Sequence, residues 1–244
     1  IATKQVNVAG DAEIEAAFAS AQAAFPKWRD MSQARKQGIL FKFRELLNER
    51  KPELAEIITS EHGKVLSDAL GEITRGQEVV EFATGIPHLL KGFYSENVST
   101  GVDVYSTRQP LGVVGIISPF NFPAMVPMWF FPIAIAAGNT VVLKPAEYTP
   151  LTAIRLGELA LKAGIPEGVF NVLPGKGSIV GNRFVTHPLV RKVVFTGSTT
   201  VGKQIMVGCA DQVKRVTLEL GGKSSNIIFA DADVAKAAAG APGA

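Results

Sequence analysis

The sequence predicts an α/β protein in which an N-terminal helical segment precedes a doubly wound, mostly parallel sheet. Two observations carry this prediction. Apolar residues recur at helical spacing through residues 11–91, whereas from residue 111 short uninterrupted apolar runs alternate with roughly ten to fifteen residues of helical pattern. Uninterrupted runs are typical of strands covered on both faces, and their alternation with helices is typical of parallel sheets. The chain has 244 residues, of which 47% are hydrophobic, and this excludes a disordered protein.

The N-terminal segment is expected to form several helices. Asp11 can cap the first, and a second is expected after Ser32. Pro52 stands at a plausible first-turn position of a third helix. Residues 101–110, GVDVYSTRQP, alternate in polarity and end in proline, which indicates an exposed or edge strand. The apolar face of the first helix consists of Ile14, Phe18, Ala21 and Phe25.

Six segments after residue 110 are predicted to be strands, and the first of them is an uninterrupted apolar run. They are LGVVGII (111–117), TVVLK (140–144), GVFNVL (168–173), RKVVFTG (191–197), RVTLELGG (215–222) and NIIFAD (226–231). Helices are expected between them, over about 123–137, 150–163, 177–184 and 199–209. The chain therefore divides into a helical segment (1–92), a strand segment (93–110) and the α/β part (111–244).

The composition excludes several classes of function. One Cys excludes a disulfide scaffold and a cysteine-based structural zinc site, and three widely spaced His do not suggest a metal cluster, so no metal is expected. The chain has a small net charge of +3, and its basic residues are interleaved with acidic ones. Both features argue against nucleic acid as a partner. Residues 109–143 carry no charge, but the prolines and glycines within them exclude a membrane helix, so no membrane partner is expected.

Ligands of doubly wound sheets lie beyond the carboxyl ends of the strands, which makes four loops candidate sites. In the first, SPFNFP (118–123), the amide of Asn121 could stabilise an oxyanion; the alternative is an Asn that satisfies a tight turn. In the second, KPAE (144–147), Lys144 and Glu147 could hold a ribose or another polyol, or could form a surface ion pair.

The other two loops follow the later strands. In FTGSTTVG (195–202), backbone N–H groups and a helix dipole could bind a phosphate. The spacing G-x-x-x-x-G-K approaches a P-loop, but Gln204 stands where a magnesium-binding Ser or Thr would be. In ELGGK (219–223), Glu219 ends an apolar strand beside two glycines. A partly desolvated carboxylate there would have a raised pKa and suit a general base; the alternative is a charge that reaches solvent.

Taken together and in this order, PFNFP, LKPAEYTP, FTGST and LELGGKS resemble the NAD(P)-dependent aldehyde dehydrogenase superfamily. The resemblance covers essentially the whole chain. It implies an aldehyde dehydrogenase-like fold in which residues 1–92 and the Rossmann-like part, 111–244, bind the cofactor, and residues 93–110 belong to an oligomerisation strand segment. Because the chain starts at Ile1 rather than Met, we expect a segment of a longer product, with the catalytic domain absent or incomplete here and lying downstream.

The resemblance implies a role for each matching residue. Asn121 corresponds to the amide that stabilises the oxyanion of the thiohemiacetal and thioester steps, and Glu219 to the general base that activates the deacylating water. Lys144 and Glu147 correspond to the residues that hold the adenosine ribose, and NAD is expected rather than NADP. The resemblance also implies that Ser198, which follows Gly197, contacts the pyrophosphate, and that the adenine approaches Gly177 and Gly181. Phe195 and Leu220 correspond to residues at the nicotinamide end of the cofactor cleft. Phe122 and Trp129 correspond to walls of the aldehyde tunnel.

Three positions differ from the pattern of many family members, and they bear on whether water or coenzyme A accepts the acyl group. Phe120 stands where many relatives carry Trp, and Phe130 where many hydrolytic relatives carry Lys. Residues 119–140 are most similar to methylmalonate-semialdehyde dehydrogenases, which pass the acyl group to coenzyme A but typically lack the glutamate that is Glu219 here. A base beside the thioester favours water, so oxidation of an aldehyde to a carboxylic acid is expected. The alternatives are a CoA-acylating semialdehyde dehydrogenase, a non-catalytic nucleotide-binding relative, and a truncated product that misfolds.

The nucleophilic cysteine of the family is expected to lie outside this chain. No Cys follows Glu219, and the only thiol, Cys209, is expected to be a small buried hydrophobe near the end of a helix. The chain alone is therefore expected to be inactive. The complete enzyme is expected to be a cytoplasmic homodimer or homotetramer that acts on a small aldehyde.

Overall fold

A computed structural model describes residues 5–240, so the outermost positions of the predicted segments 1–92 and 111–244 lie outside the described residues. The helices are α1 (Asp11–Asp30), α2 (Gln33–His62), α3 (Leu66–Thr84), α4 (Ile86–Leu89), α5 (Met125–Ala136), α6 (Leu151–Ala163), α7 (Asn182–Thr186), α8 (Thr199–Ala210) and α9 (Val234–Gly240). The strands are β1 (Tyr94–Ser99), β2 (Val102–Tyr105), β3 (Val113–Ile117), β4 (Thr140–Lys144), β5 (Phe170–Val172), β6 (Val190–Gly197) and β7 (Arg215–Leu220).

The N-terminal helices form where the apolar spacing predicts them, with two corrections. Asp11 does not cap α1 but is its first residue; the cap is Gly10, whose N–H donates a hydrogen bond to Glu13 Oε2 (2.9 Å). The Ser32 hydroxyl accepts a hydrogen bond from the Arg35 N–H (3.4 Å) and caps α2, which ends at Gly63 in the left-handed conformation (φ 83°). The prediction that Pro52 starts a third helix is wrong, because Pro52 lies inside the 30-residue α2. The same buried stripe continues through it, and this packing outweighs the backbone hydrogen bond that proline removes. The stripe consists of Leu40, Phe43, Leu47, Leu54, Ala55 and Ile58.

The main sheet is parallel and doubly wound, as predicted. Its strand order is β5-β4-β3-β6-β7. From β3 the chain moves outward to β4 and β5, then returns to form β6 and β7 on the other side, so the strand order reverses between β3 and β6. Alternate residues of β3 enter two apolar clusters: Val114 and Ile116 face α2, α3, α5 and α6, and Val113 and Ile117 face α1 and α7.

One strand prediction near the C-terminal end is wrong. The run 226–231, NIIFAD, forms no strand; it is irregular and exposed, with Phe229 73% accessible. A strand requires a hydrogen-bonded neighbour, and no described residue pairs with this run. The helix expected over 177–184 is confirmed, as a π-helical turn over Gly177–Gly181 that continues directly into α7, which ends at Thr186.

Strands β1 and β2 form an antiparallel hairpin that is separate from the main sheet. The exposed strand expected within 101–110 is thereby confirmed as β2, and every residue of both strands is exposed. Large apolar side chains such as Phe93 and Tyr105 are about three-quarters accessible (75% and 74%). No helix within residues 5–240 is both long enough and apolar enough to cross a membrane.

Candidate active site

The four candidate loops leave the main sheet at one edge. At the ends of the strands, Ile117 of β3 pairs with Lys144 of β4 on one side and with Phe195 of β6 on the other, and Thr196 pairs with Glu219 of β7. Because parallel strands share one direction, the loops that follow β3, β4, β6 and β7 emerge together. This edge includes the point where the strand order reverses, which is the usual position of a ligand in such sheets.

Lys144, Glu147 and Gly177 meet at one end of this edge. The Lys144 side chain is 4% accessible, and burial lowers the pKa of its ammonium group, which the nearby Glu147 carboxylate partly opposes. The Glu147 Oε1 atom accepts a hydrogen bond from the Gly177 N–H (2.7 Å). A Cβ atom on Gly177 would lie 3.8 Å from Glu147 Oε1 and 3.9 Å from Lys144 Nζ. Lys144 is thus buried rather than part of a surface ion pair, whereas Glu147 is exposed and Gly177 is partly exposed.

Two buried hydroxyl groups lie at the ends of the two central strands. Ser118 directly follows β3, and Thr196 is the last residue but one of β6. Neither Ser118 Oγ nor Thr196 Oγ1 has a hydrogen-bond partner among the described residues. Buried hydroxyls are usually satisfied, so these two groups are exceptions at the end of the sheet from which the candidate loops leave. The sequence predicted no role for either residue, although Ser118 lies in SPFNFP and Thr196 lies in FTGST. Gly181 packs on Ile117, the last residue of β3. A Cβ added to Gly181 would lie 3.5 Å from Ile117 Cδ1.

The start of α8 combines a capped helix N-terminus with two close packing contacts. The Ser198 hydroxyl accepts a hydrogen bond from the Val201 N–H (3.3 Å) and caps the helix. A Cβ on Gly197 would lie 2.5 Å from Phe195 Cζ, and a Cβ on Gly202 would lie 2.5 Å from Leu220 Cδ2. Glycine at both positions lets the buried Phe195 ring and the partly exposed Leu220 side chain lie against this turn.

Asn121 lies in the loop that follows β3, and its side chain is exposed. Its backbone carbonyl accepts a hydrogen bond from Lys64 Nζ (2.9 Å), which also lies 4.1 Å from the centre of the Phe122 ring. Among the described residues, nothing hydrogen-bonds to the Asn121 side-chain amide, so the alternative of an Asn that satisfies a tight turn is not supported. The amide N–H groups are available to a ligand. The preceding ring, Phe120, stacks on His62 at a centroid distance of 6.2 Å.

Glu219 occupies a more open position than the sequence predicted. The expectation that it ends a buried strand is wrong: β7 is only partly buried, and Glu219 and Leu220 are exposed. The reason is topological, because β7 is the outermost strand on its side of the sheet in the part of the chain that the structure describes. The alternative of a carboxylate that reaches solvent describes Glu219 here.

The two residues expected in the aldehyde tunnel do not share a cavity. Trp129 and Phe130 of α5 line a cavity of about 260 Å³ between this helix and the sheet residues Val114, Val194 and Thr217. Phe122 does not line this cavity and instead packs beneath Lys64. Cys209 is fully buried near the end of α8, where burial raises the pKa of its thiol, and the expectation of a small buried hydrophobe is confirmed.

Sequence reasoning missed Lys64 and Glu72, which support the Asn121 loop. Glu72 is fully buried on α3, and one of its oxygens, Oε2, lies 2.7 Å from Lys64 Nζ. Its other oxygen, Oε1, accepts hydrogen bonds from the N–H groups of Ala124 (2.8 Å) and Met125 (3.1 Å). A signal was present in the sequence, because Glu72 lies on the helical face that also carries Ala69, Ile73, Gly76 and Val80.

The fold first defines a class: a doubly wound α/β protein whose candidate loops meet where its strand order reverses. The chain belongs to the aldehyde dehydrogenase family. The sequence pattern that defines the "Aldehyde dehydrogenase family" matches residues 2–244, which confirms the resemblance drawn from the four loop motifs.

Individual relatives support the same assignment. Malonate-semialdehyde dehydrogenase 2 of Geobacillus thermodenitrificans is 46% identical over 230 residues, which are 94% of this chain and 47% of that protein. The mitochondrial methylmalonate-semialdehyde dehydrogenase [acylating] of Arabidopsis thaliana is 44% identical over 91% of this chain and 36% of its own length. A putative methylmalonate-semialdehyde dehydrogenase from Sinorhizobium meliloti, solved in complex with NAD, superposes with a TM-score of 0.93 at 45% identity, over 96% of this chain and 48% of that one.

A second solved structure, an E. coli NADP-dependent enzyme, gives a TM-score of 0.94 at 40% identity over 98% of this chain and 50% of that one. The chain therefore spans about half the length of three of these relatives and 36% of the Arabidopsis protein. This agrees with the expectation that the catalytic domain is absent or incomplete in the given chain.

Proposed function

We propose that this chain is the cofactor-binding part of an NAD-dependent aldehyde dehydrogenase that oxidises a small semialdehyde to a carboxylic acid. The observation that carries the proposal is the convergence of Lys144, Glu147 and Gly177 at the same sheet edge from which the Asn121 loop leaves. The relatives named as malonate- and methylmalonate-semialdehyde dehydrogenases support the substrate class. The nucleophilic cysteine would come from outside the given chain.

The described residues fit a dinucleotide. Gly177 leaves space beside Glu147 and Lys144, where a ribose can approach, and the carboxylate of Glu147 has lone pairs to accept ribose hydroxyl hydrogens. The capped N-terminus of α8 at Ser198 suits the pyrophosphate. In this arrangement, Gly181 lies by the adenine. Phe195 and Leu220 lie toward the nicotinamide end.

NAD is proposed over NADP because of Glu147. A 2′-phosphate on the ribose would be placed beside this carboxylate, and like charges repel strongly near a partly buried site. Lys144 offsets part of this repulsion, since its ammonium is close to the same space. The Sinorhizobium meliloti structure with NAD supports the preference, although the E. coli neighbour is described as NADP dependent.

In the reaction, NAD supplies the hydride acceptor when it is bound. The amide of Asn121 donates a hydrogen bond to the aldehyde oxygen as this oxygen becomes negative during attack by the thiolate. Phe122, next to Asn121 in the same loop, would border the aldehyde, whereas Trp129 lies in the separate cavity between α5 and the sheet. The carboxylate of Glu219 then takes a proton from the water that hydrolyses the thioester, and a carboxylic acid leaves. The net change consumes aldehyde, NAD⁺ and water and yields carboxylate, NADH and two protons.

A second candidate is transfer of the acyl group to coenzyme A, which is favoured by the similarity to a protein named as acylating. The test is the formation of NADH by the full-length protein from malonate semialdehyde, with and without coenzyme A, with the product identified by mass spectrometry. A free acid formed at an undiminished rate without coenzyme A is expected. If NADH forms only when coenzyme A is present, the acyl acceptor is the thiol of coenzyme A and not water. If no NADH forms with or without coenzyme A, the proposed dehydrogenase activity is refuted.

A homo-oligomer in the cytoplasm is proposed for the complete protein. The exposed apolar side chains of the β1–β2 hairpin, such as Tyr94, Val104 and Tyr105, support an assembly role for residues 93–110. Light scattering on the full-length protein, compared with a Tyr94→Ser/Tyr105→Ser variant, tests this role. A dimer or tetramer that dissociates in the variant is expected, and an unchanged mass would contradict it.

A further inference from the structure

The Asn121 loop is held from the helical layer by one buried ion pair. Lys64 directly follows the glycine that ends α2, and Glu72 lies on α3. The Lys64 side chain is 11% accessible and that of Glu72 is 0% accessible. The two groups approach to 2.7 Å between Lys64 Nζ and Glu72 Oε2. Removing a charge pair from water is costly, so its presence in the core calls for further contacts that compensate both charges.

Glu72 holds the downstream end of the loop. Its Oε1 atom accepts hydrogen bonds from the N–H groups of Ala124 (2.8 Å) and Met125 (3.1 Å), which lie at the N-terminus of α5. N–H groups in the first turn of a helix have no partner within the helix, and a carboxylate also favours the positive end of the helix dipole. Glu72 therefore fixes α5 immediately after the Asn121 loop.

Lys64 holds the residue Asn121 itself. Its ammonium group has three N–H donors, and three partners surround it: the Glu72 carboxylate, the Asn121 backbone carbonyl (2.9 Å) and the face of the Phe122 ring (4.1 Å from the centroid). The ammonium is thus fully engaged by the protein. Of these three contacts, the bond to the Asn121 carbonyl holds the backbone directly, and the contact with the Phe122 ring holds the next residue.

We infer that Lys64 and Glu72 form a positioning pair that holds the Asn121 amide in place for the oxyanion. The inference rests on the proposed function, because it requires Asn121 to act on the substrate oxygen. Asn121 has no side-chain hydrogen bond to the described residues, so its position depends on the backbone that carries it. The pair fixes this backbone at the Asn121 carbonyl and again at Ala124, three residues later. Preorganised donors stabilise an oxyanion only where their geometry is held.

The informative variant is Lys64→Met/Glu72→Gln in the full-length enzyme. The glutamine oxygen can still accept from Ala124 and Met125, so α5 keeps its cap while the ion pair and the bond to Asn121 are lost. Lys64→Gln alone is a second variant. The glutamine amide can donate a hydrogen bond to Glu72 but cannot at the same time reach the Asn121 carbonyl and the Phe122 ring. The readouts are the rate of the first NADH burst at saturating NAD, the KM for the aldehyde, and the melting temperature.

Glu61 offers a matched control. Its carboxylate also caps a helix from the same layer, accepting hydrogen bonds from the N–H groups of Leu151 (2.8 Å) and Thr152 (3.0 Å) at the start of α6. Within residues 5–240 it makes no hydrogen bond to the Asn121 loop. Glu61→Gln measures the effect of weakening such a cap by itself. We expect this variant to change the melting temperature and to keep the burst rate within about twofold at saturating NAD.

The expected result for Lys64→Met/Glu72→Gln is a burst rate reduced about tenfold with little change in KM, since only transition-state positioning is lost. In an Asn121→Ala background, the same pair of substitutions should reduce the rate by less than about twofold, because coupled residues are not additive. A wild-type burst rate in the double variant, or an undiminished effect in the Asn121→Ala background, would overturn the inference. If Asn121→Ala alone leaves the burst unchanged, the proposed function fails instead.

Discussion

Gly177→Ala separates cofactor binding from folding at the proposed ribose site. The added methyl would lie 3.8 Å from Glu147 Oε1 and 3.9 Å from Lys144 Nζ, which are ordinary contact distances, and alanine keeps the N–H that donates to Glu147. The free protein should therefore lose no stability, and a Gly to Ala change without strain contributes about 0.4–1 kcal/mol in favour of folding. The methyl does, however, occupy the space through which a ribose would approach Lys144 and Glu147.

We expect the dissociation constant of NAD to rise about tenfold, which corresponds to about 1.4 kcal/mol, because the ribose must move away from Glu147. Isothermal titration of NAD into full-length wild type and Gly177→Ala measures this change, with the melting temperature of the free proteins as a check on folding. Gly71→Ala is the control: its Cβ would meet nothing within 4 Å, and Gly71 lies within α3. Wild-type NAD affinity in Gly177→Ala, with an unchanged melting temperature, would refute the placement of the ribose beside Gly177.

Four further outcomes follow from the same contacts. Glu147→Gln should reduce the ratio of kcat/KM for NAD over NADP, because the repulsion of a 2′-phosphate is removed; an unchanged ratio would show that Glu147 does not face the ribose. Glu219→Gln should keep the NADH burst but slow steady-state turnover, as acylation precedes the need for a base, and an unchanged steady-state rate would assign the base elsewhere. Glu72→Ala should lower the free energy of unfolding by about 3–5 kcal/mol in urea titrations, since Lys64 would remain buried without its partner; a loss below about 1 kcal/mol would contradict the buried pair. Cys209→Ser should keep the NADH burst, because this thiol is buried and its pKa is raised, whereas loss of the burst without loss of folding would make it the nucleophile.

The sequence predicted the sheet well because its signal is local. Strand β3 is an uninterrupted apolar run and β4 has an apolar centre, and all ten of their residues are buried. The errors arose where tertiary contacts decide the outcome. Pro52 is a good first-turn residue in isolation, yet the buried stripe on both sides of it extends α2. The run 226–231 has strand composition, but it has no strand partner in the described part of the chain.

The sequence predicted the residues of the candidate site better than the residues that hold them in place. Lys144, Glu147 and the Asn121 loop were found because chemistry-bearing residues at strand ends are visible in the sequence. Their meeting with Gly177, thirty residues after Glu147, depends on the sheet register and was reached through family resemblance. Lys64 lies 57 residues before Asn121, and only the packing of α2 and α3 on α5 brings it to the loop carbonyl.

The most direct test of the account is a crystal structure of the full-length protein with NAD. We expect hydroxyl groups of the adenosine ribose within hydrogen-bond distance of Glu147 and Lys144, the pyrophosphate at the start of α8 by Ser198, and the nicotinamide ring directed toward the side of the sheet that carries Glu219. NAD bound away from the edge shared by β3, β4 and β6, or with its adenosine and nicotinamide ends exchanged, would contradict the central claim.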